Sequence, residues 1–469
     1  MQKLPRLIAC LTALVSASFP ATAAEDFGSA EPFKNGDTVC FVGDSITHGG
    51  TYHSIVMLYY ATRFPDRAIQ SFNCGIGGDR ANGIMSDEKF RLNVDILGHK
   101  PTVATIMLGM NDIGHTDYYA PGKDAPDAEK KRQRSLEVYD ESMQKLIGAL
   151  KKGGARIILI TPSIYDETTK LESARKDVAV GANGALGKCA EKVHAWAKQG
   201  GAGIVNFHET MNAINPRAQA KDPAFTIVGP DRVHPGPIGH FVMAYTFLKA
   251  QGLPREVATI GIDARAAKAS GAVNCTIGGV KAGPTSVIFD CTEKALPLVV
   301  PDDAKPALAL VPFMKDLNEE KLIVTGLAAG SYELKIDEQV IGEYAAVDLL
   351  AGINLAENAK TPQYQQSAAA TKISKERTAI GSQLRGLASQ LYALSKSRVD
   401  VSDAAAVEKA LTTRLEASQK DGKPADARLK AGLDAFKIRE KLAHDYDALA
   451  VTLRETCQPK PHHFTLTKK

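Results

Sequence analysis

Tryptophan is almost missing from this chain: its 469 residues include a single one, Trp196. That residue falls in a stretch expected to be helical in the first half, so the later segments lack the strongest stacking residue for a dedicated sugar-binding platform. An excess of one charge is missing too. The 57 Lys and Arg residues nearly balance the 53 Asp and Glu residues, giving a formal net charge of +4 spread along the chain. Neither nucleic acid nor an anionic membrane surface is expected as a partner. Beyond the N-terminus no apolar run is long enough to cross a bilayer. The seven cysteines show no metal-type spacing, so no metal or other cofactor is expected.

What is present begins with Met1-Gln2-Lys3-Leu4-Pro5-Arg6, an apolar segment from Leu7 to about Phe19, and Pro20-Ala21-Thr22-Ala23-Ala24. A basic start, a short hydrophobic core and small residues before a cut read as a secretory signal peptide over 1–24, with a periplasmic or secreted product. Leu7-Ile8-Ala9-Cys10 resembles a lipoprotein box, but cutting there would leave almost no hydrophobic segment ahead of it. Without Cys10, six cysteines remain in a compartment that permits disulfides. Cys275 and Cys291 flank a hairpin expected to turn at Lys281-Ala282-Gly283-Pro284, and are the one pair suspected of bridging. Cys40 and Cys74 lie in apolar strands and read as buried small hydrophobes.

Three textures follow the leader. Over 25–255, apolar strands (38–42, 68–73, 103–108, 156–161 and 203–207) alternate with helical patterns (54–63, 133–151, 183–198 and 239–250), the mark of an α/β domain with a mostly parallel, doubly wound sheet. Over 256–361, short strands separated by Gly, Pro and Asp predict a small antiparallel β domain. Over 362–469, Ala, Lys, Glu and Leu at helical spacing predict three long hairpinned helices, with breaks near 399–402 and 421–424. Leu384, Leu387, Leu391, Leu394, Leu411, Leu429, Leu433, Phe436, Leu442 and Leu449 would form the seam of this helical tail, which could alternatively be a homo-oligomer interface. His462-His463 reads as a solvated tail, since no other ligand stands at a readable spacing from it.

The first domain carries polar signatures where its strands end. Val39-Cys40-Phe41-Val42 stops at Gly43-Asp44-Ser45-Ile46-Thr47; the second strand leads into Gly75-Ile76-Gly77-Gly78-Asp79-Arg80; the third leads into Gly109-Met110-Asn111-Asp112. Far downstream comes Asp231-Arg232-Val233-His234. Carboxyl ends of parallel strands share the edge where open α/β sheets bind ligands. Acyl transfer to a serine needs a base, a group orienting that base, and donors for the developing oxyanion. Ser45 is the candidate nucleophile, His234 the base and Asp231 its orienting partner. The Ser45 and Gly78 N–H groups and the Asn111 side-chain amide are the oxyanion donors, each worth roughly 3–4 kcal/mol in the transition state. Taken singly, Ser45 and Asp231 could be caps, Asn111 a turn residue and His234 a satisfied polar group. Taken jointly and in this order they point to catalysis. Asp44 and Asp112 read as loop braces. His48, Asp79, Arg80, His115, Tyr118 and Tyr119 are candidate substrate contacts, the adjacent tyrosines offering rings to stack on a sugar.

These four blocks resemble those of the SGNH (GDSL-type) esterase family: Gly43-Asp44-Ser45-Ile46-Thr47, the Gly78 loop, Gly109-Met110-Asn111-Asp112 and Asp231-Arg232-Val233-His234. The resemblance covers about residues 37–253 and departs mildly at Ile46, where the family has leucine. It implies a flavodoxin-like three-layer sheet, a serine esterase without metal, and Ser45, Gly78, Asn111 and His234 as the namesake residues. Export, polar and aromatic loops and the lack of a long apolar lid favour a short acyl group, above all acetyl, on a carbohydrate. A lipase, lysophospholipase or arylesterase is the alternative, as is an acyltransferase using the same residues, and a non-enzymatic binding protein is the reading from a third class.

Overall fold

The computed structural model describes residues 26–419 and 424–469. The expected signal peptide and Cys10 lie outside the described residues. Six strands, β1 (Gly28–Ser29), β2 (Thr38–Gly43), β3 (Gln70–Gly75), β4 (Val103–Met107), β5 (Arg156–Ile160) and β6 (Gly203–Val205), form one sheet in the order β1-β6-β5-β4-β2-β3. From β2 to β6 all neighbours are parallel, and only β1 runs antiparallel, at the edge beside β6. Leaving β1 aside, this is the flavodoxin-like order, which places its crevice beside the first strand of the parallel set. Val39, Cys40, Phe41 and Val42 are fully buried, as a central strand covered on both faces requires.

Helices α1 (Ser45–His48), α2 (Thr51–Arg63), α3 (Ala81–Ser86), α4 (Ala128–Lys152), α5 (Ala182–Gly200), α6 (Phe207–Gln219) and α7 (Pro237–Ala250) complete this unit. Helix α6 had no counterpart in the sequence reading. The expected strand runs on to Phe207, the first residue of α6, but β6 stops at Val205 and Phe207 is buried in the core. In the register, Gly43 pairs with both Gly75 and Met107, so three strands end level and their loops open side by side. Gly75 allows this closeness: a Cβ there would lie 2.3 Å from the His48 nitrogen and 2.7 Å from the Thr47 carbonyl carbon.

The second unit contains two sheets that share one apolar core. Strands β7 (Glu256–Asp263), β8 (Lys268–Val273), β11 (Glu319–Thr325) and β14 (Ile353–Asn354) make a four-stranded sheet. Strands β9 (Cys275–Ala282), β10 (Ser286–Glu293), β12 (Ser331–Ile336), β13 (Gln339–Ala345) and β15 (Pro461–Lys468) make a five-stranded one. Two short helices, α8 (Phe313–Leu317) and α9 (Ala346–Ala351), lie between its strands in sequence. The purely antiparallel expectation fails at β7 and β11, which pair in parallel because the intervening hairpin crosses to the other sheet. Cys275 and Cys291 are unbridged: Cys291 stands opposite Ile277 and Cys275 opposite Glu293, so they are diagonal neighbours, and Cys275 Sγ donates to the Thr259 carbonyl at 3.3 Å. All six cysteines among the described residues are free and buried.

Among the described residues the helical segment has four helices where three were expected: α10 (Pro362–Lys396), α11 (Ala404–Ser418), α12 (Ala427–Lys437) and α13 (Arg439–Thr456). Asp403 caps α11 through the N–H groups of Ala405 and Ala406. Leu387, Leu394, Leu411, Leu433, Phe436 and Leu442 are buried together in an internal seam. The chain end corrects the expected tail. His462 and His463 belong to β15, between β10 and β12, and pair with Asp337 at 2.8 Å and Asp290 at 2.7 Å. A strand that returns from so far in sequence leaves only alternation over eight residues as its signal. Among the described residues no helix is long and apolar enough to cross a membrane.

Helix α10, 35 residues and about 50 Å long, links the units. Its start meets the β-rich unit, where Gln363 donates to Glu293 at 2.8 Å. Its far end reaches the loops beside Ser45, where Tyr392 donates to the Gly83 carbonyl at 3.0 Å. The β-rich unit itself docks at the opposite edge of the parallel sheet from those loops. There Arg63, closing α2, donates to the Leu317 carbonyl at 2.7 Å, and the Leu296 N–H donates to the Thr62 carbonyl at 2.9 Å.

Candidate active site

Ser45 is the first residue of α1, directly after β2 and its cap residue Asp44, whose carboxylate accepts the Ile46 N–H at 3.0 Å. The Ser45 Oγ lies 2.7 Å from His234 Nε2, and the other ring nitrogen of His234 lies 2.5 Å from Asp231 Oδ2. The second Asp231 oxygen accepts the N–H groups of Val233 and His234, both at 3.0 Å. Burial opposes ionisation of Asp231, but the His234 hydrogen bond and these two N–H groups outweigh it and hold its carboxyl down to about 2. The same Asp231 hydrogen bond raises the His234 imidazole above its ordinary value, against partial burial. A hydroxyl, an imidazole and a carboxylate in this sequence form a relay able to deliver a serine alkoxide and keep the imidazolium stable.

The turn between Asp231 and His234 is tight, and Arg232 holds it with φ at 71°. Its buried guanidinium donates to the carbonyls of Asp166 and Arg175, both at 2.8 Å. Sequence reasoning passed over Arg232, because a residue flanked by two catalytic candidates offers no sign that it anchors distant carbonyls.

The groups expected to bind an oxyanion lie on the loops that follow β2, β3 and β4. Gly78 has φ at 77° and open space where a Cβ would be, while a Cβ on Gly77 would come within 4.0 Å of the Ser45 Cβ. The positive φ is what requires glycine at 78. Among the described residues the N–H groups of Ser45 and Gly78 have no acceptor within the protein. Asn111 Nδ2 donates to the Asp79 carbonyl at 3.1 Å, which orients its amide beside the Gly78 loop. Asp112, fully enclosed, accepts the N–H groups of Ala81 at 2.8 Å and Gly109 at 3.0 Å, tying the second loop to the third. Burial pushes the Asp112 carboxyl up to about 7, and that of Asp44 up to about 6.

The six expected substrate contacts divide. Asp79 is not available to a ligand: it is 4% exposed and its carboxylate is taken by Arg91 Nε at 2.8 Å. Tyr118 is buried in the core with Arg132 over its ring at 5.1 Å, so it offers no face for a sugar. His48 accepts the Gly77 N–H at 3.2 Å, bracing the second loop against the first. Burial brings the imidazole of His48 down to about 4, leaving it neutral for that task. Tyr119 carries Arg175 on one face, at 3.9 Å, and donates to Tyr165 Oη at 3.2 Å. Arg80 is exposed at the start of α3. His115 is part-buried and lies within the field of Arg80, Arg175 and His234; burial first, then these cations, bring it down to about 4. Among the described residues no group of His, Cys, Asp and Glu is arranged to hold a metal ion.

Residues 41–241 match the family model of the GDSL-like lipase/acylhydrolase family. An acetylxylan esterase from Geobacillus stearothermophilus is 26% identical over 237 residues, 46% of this chain and 95% of that protein. A solved structure of an acetylxylan esterase from the same organism matches 47% of this chain and 96% of its own at 23% identity, with a TM-score of 0.36. The structure of a gut microbial diltiazem-metabolizing enzyme is 33% identical and superposes on 94% of this chain and 100% of its own, with a TM-score of 0.84. That likeness extends through the β-rich and helical units.

Proposed function

The chain belongs to the GDSL-like lipase/acylhydrolase family and is a carboxylic ester hydrolase, and from that premise we propose that it removes short acyl groups, above all acetyl, from carbohydrate esters through an acyl-serine intermediate. The observation that carries this reading is the Ser45–His234–Asp231 relay, with 2.7 Å between hydroxyl and imidazole, together with the N–H groups of Ser45 and Gly78, which have no acceptor among the described residues.

In this reading His234 Nε2 takes the Ser45 proton as Oγ attacks the ester carbonyl carbon. The carbonyl oxygen becomes the oxyanion facing the N–H groups of Ser45 and Gly78 and the Asn111 amide. His234 then passes the proton to the departing alcohol as the ester bond breaks, leaving acyl-Ser45. Water, deprotonated by His234, attacks that ester; the carboxylic acid departs and Ser45 regains its proton. Asp231 stays ionised throughout and steadies the imidazolium.

Acetyl as the acyl group and a carbohydrate as its carrier are supported by the acetylxylan esterase relative. The relative that matches 94% of this chain is a diltiazem-metabolizing enzyme, which adds that compound to the substrates worth testing. Export through the N-terminal segment belongs to the same proposal. The test is acetate release from acetylated xylan, other acetylated glycans and diltiazem, together with nitrophenyl esters from acetate to palmitate. Acetate should be the preferred acyl group and Ser45→Ala should lose about 10⁴-fold or more in kcat with its fold intact. Faster turnover of long chains than of acetate would overturn the acyl assignment.

A further inference from the structure

We infer that Arg385, on the appended helix α10, is a positioning residue for oxyanion binding, its single guanidinium clamping the nucleophile turn and the Gly78 loop together. The inference rests on the esterase reading above and assigns that reaction a residue from outside the unit the family model covers.

Two arms leave the guanidinium. One nitrogen donates to the Asn73 carbonyl at 2.9 Å; Asn73 in turn donates to the His48 carbonyl at 2.9 Å and accepts the Gly75 N–H at 2.9 Å. This arm ends on α1, the turn that presents Ser45. The other nitrogen donates to Asp95 Oδ2 at 2.7 Å, the same oxygen that accepts from Arg91 at 2.6 Å. Arg91 continues to the Asp79 carboxylate at 2.8 Å and to the Cys74 carbonyl at 2.6 Å. Asp79 follows Gly78, accepts the Arg80 N–H at 3.0 Å, and through its own carbonyl orients the Asn111 amide. The second arm therefore ends on two of the three oxyanion donors.

The network is dry: the side chains of Arg385, Asp95, Arg91 and Asp79 are at most 6% exposed. Two arginines face two aspartates: Arg385 and Arg91 hold the Asp95 carboxyl below its usual range, while burial, only partly offset by Arg91, leaves that of Asp79 raised. A lysine could not replace Arg385, because an ammonium lacks the planar fork that reaches Asn73 and Asp95 at once. Loss of the fork lets Asp95 and Arg91 shift, and with them Asp79. A displacement of about 1 Å at the reacting groups can cost about 10²-fold in rate.

The test uses the full chain. Arg385→Met should keep the fold through its apolar stem and lower kcat on nitrophenyl acetate about 10- to 100-fold, with KM changing less than about 2-fold. A boronic acid that forms a tetrahedral adduct on Ser45 should lose affinity by the same factor, since it depends on the same donors. Guanidinium ion added to Arg385→Ala should restore part of kcat. If Arg385→Met does not fold, Arg385→Lys, which keeps the charge, should show the same paired loss of kcat and boronate affinity. A folded variant with wild-type kcat, or with lower kcat but unchanged boronate affinity, overturns the inference. A wild-type protein that hydrolyses no ester, or does so without Ser45, fails the esterase reading instead.

Discussion

Helix α10 enters a buried polar cluster at each end, and the two clusters solve opposite problems. Near its end, Arg385 completes a set of two arginines and two aspartates paired at 2.6–2.8 Å. Burial disfavours ionisation of Asp95, yet Arg385 and Arg91 outweigh it and keep that carboxyl below its usual range. At its start, Gln363 donates to Glu293, which stands beside Glu320, and both carboxyls are fully enclosed. Arg63, whose charge acts on both, donates to the backbone carbonyls of Glu256 and Leu317. Burial therefore pushes Glu293 up to about 7 and Glu320 well above the ordinary carboxyl range, the two carboxyls standing within hydrogen-bonding reach of each other. Only a proton between them can satisfy that contact. The network under the Gly78 loop is thus held by arginine–aspartate pairs, and the far junction by carboxyls that burial pushes toward protonation.

The comparison breaks most severely at the relay itself. His234→Ala should lower turnover about 10³-fold or more without moving the melting temperature, since His234 is half exposed and braces nothing else. Its pH dependence sharpens the contrast. The base must be neutral to accept the Ser45 proton, and Asp231 raises its pKa above 6.5, so kcat/KM should climb with pH through a midpoint above 6.5. Asp231→Asn should shift that midpoint down while lowering the plateau. A midpoint unchanged in Asp231→Asn would sever Asp231 from the relay.

Next in size is Gly83→Ala, which attacks the charged network by volume alone. A Cβ at 83 would lie 2.7 Å from the Asp79 carboxylate and 3.3 Å from Tyr392 Oη. Neither can retreat, because Arg91 holds the first and the Ile76/Phe90 cluster packs the second. Kinetics should show about a 10-fold loss in kcat with little change in KM. Wild-type kcat would mean that the Gly78 loop tolerates motion in its support.

Much of the catalytic edge was legible because its logic is local. An apolar run ending in Gly43-Asp44-Ser45 states a strand, a turn and an exposed hydroxyl within a few residues, and Asp231 and His234 carry their own spacing. Gly78 and Asn111 stood at strand ends that the alternating pattern had already located. The supports were not legible, because they depend on contacts remote in sequence. Arg385 lies in an Ala- and Leu-rich helix where an arginine normally faces water, and nothing nearby announces that Asp95 awaits it. Arg91 and Asp95 did carry a signal, the i,i+4 spacing of an ion pair, but that spacing usually marks a solvated helix face. Strand β15 was hidden for a related reason: its hydrogen-bonding partners, β10 and β12, are far away in sequence, and it follows directly on a long helical texture.

The smallest effect expected is at the far junction, and it appears in stability and not in turnover. A carboxyl whose folded pKa lies above its unfolded value contributes stability that is complete below the unfolded pKa and lost as pH rises through the folded one. For Glu293 that window runs from its ordinary 4.5 to about 7. Wild-type melting temperature should fall between pH 5 and pH 8, opposite to the direction in which activity rises. Glu320→Gln keeps the shape and a hydrogen-bond donor while needing no proton. It should match wild type near pH 5, exceed it at pH 8 by roughly 1–3 kcal/mol, and leave kcat on nitrophenyl acetate unchanged. Parallel pH profiles for the two proteins would mean that the junction holds no shared proton, and that the contrast between the two ends of α10 is one of packing alone.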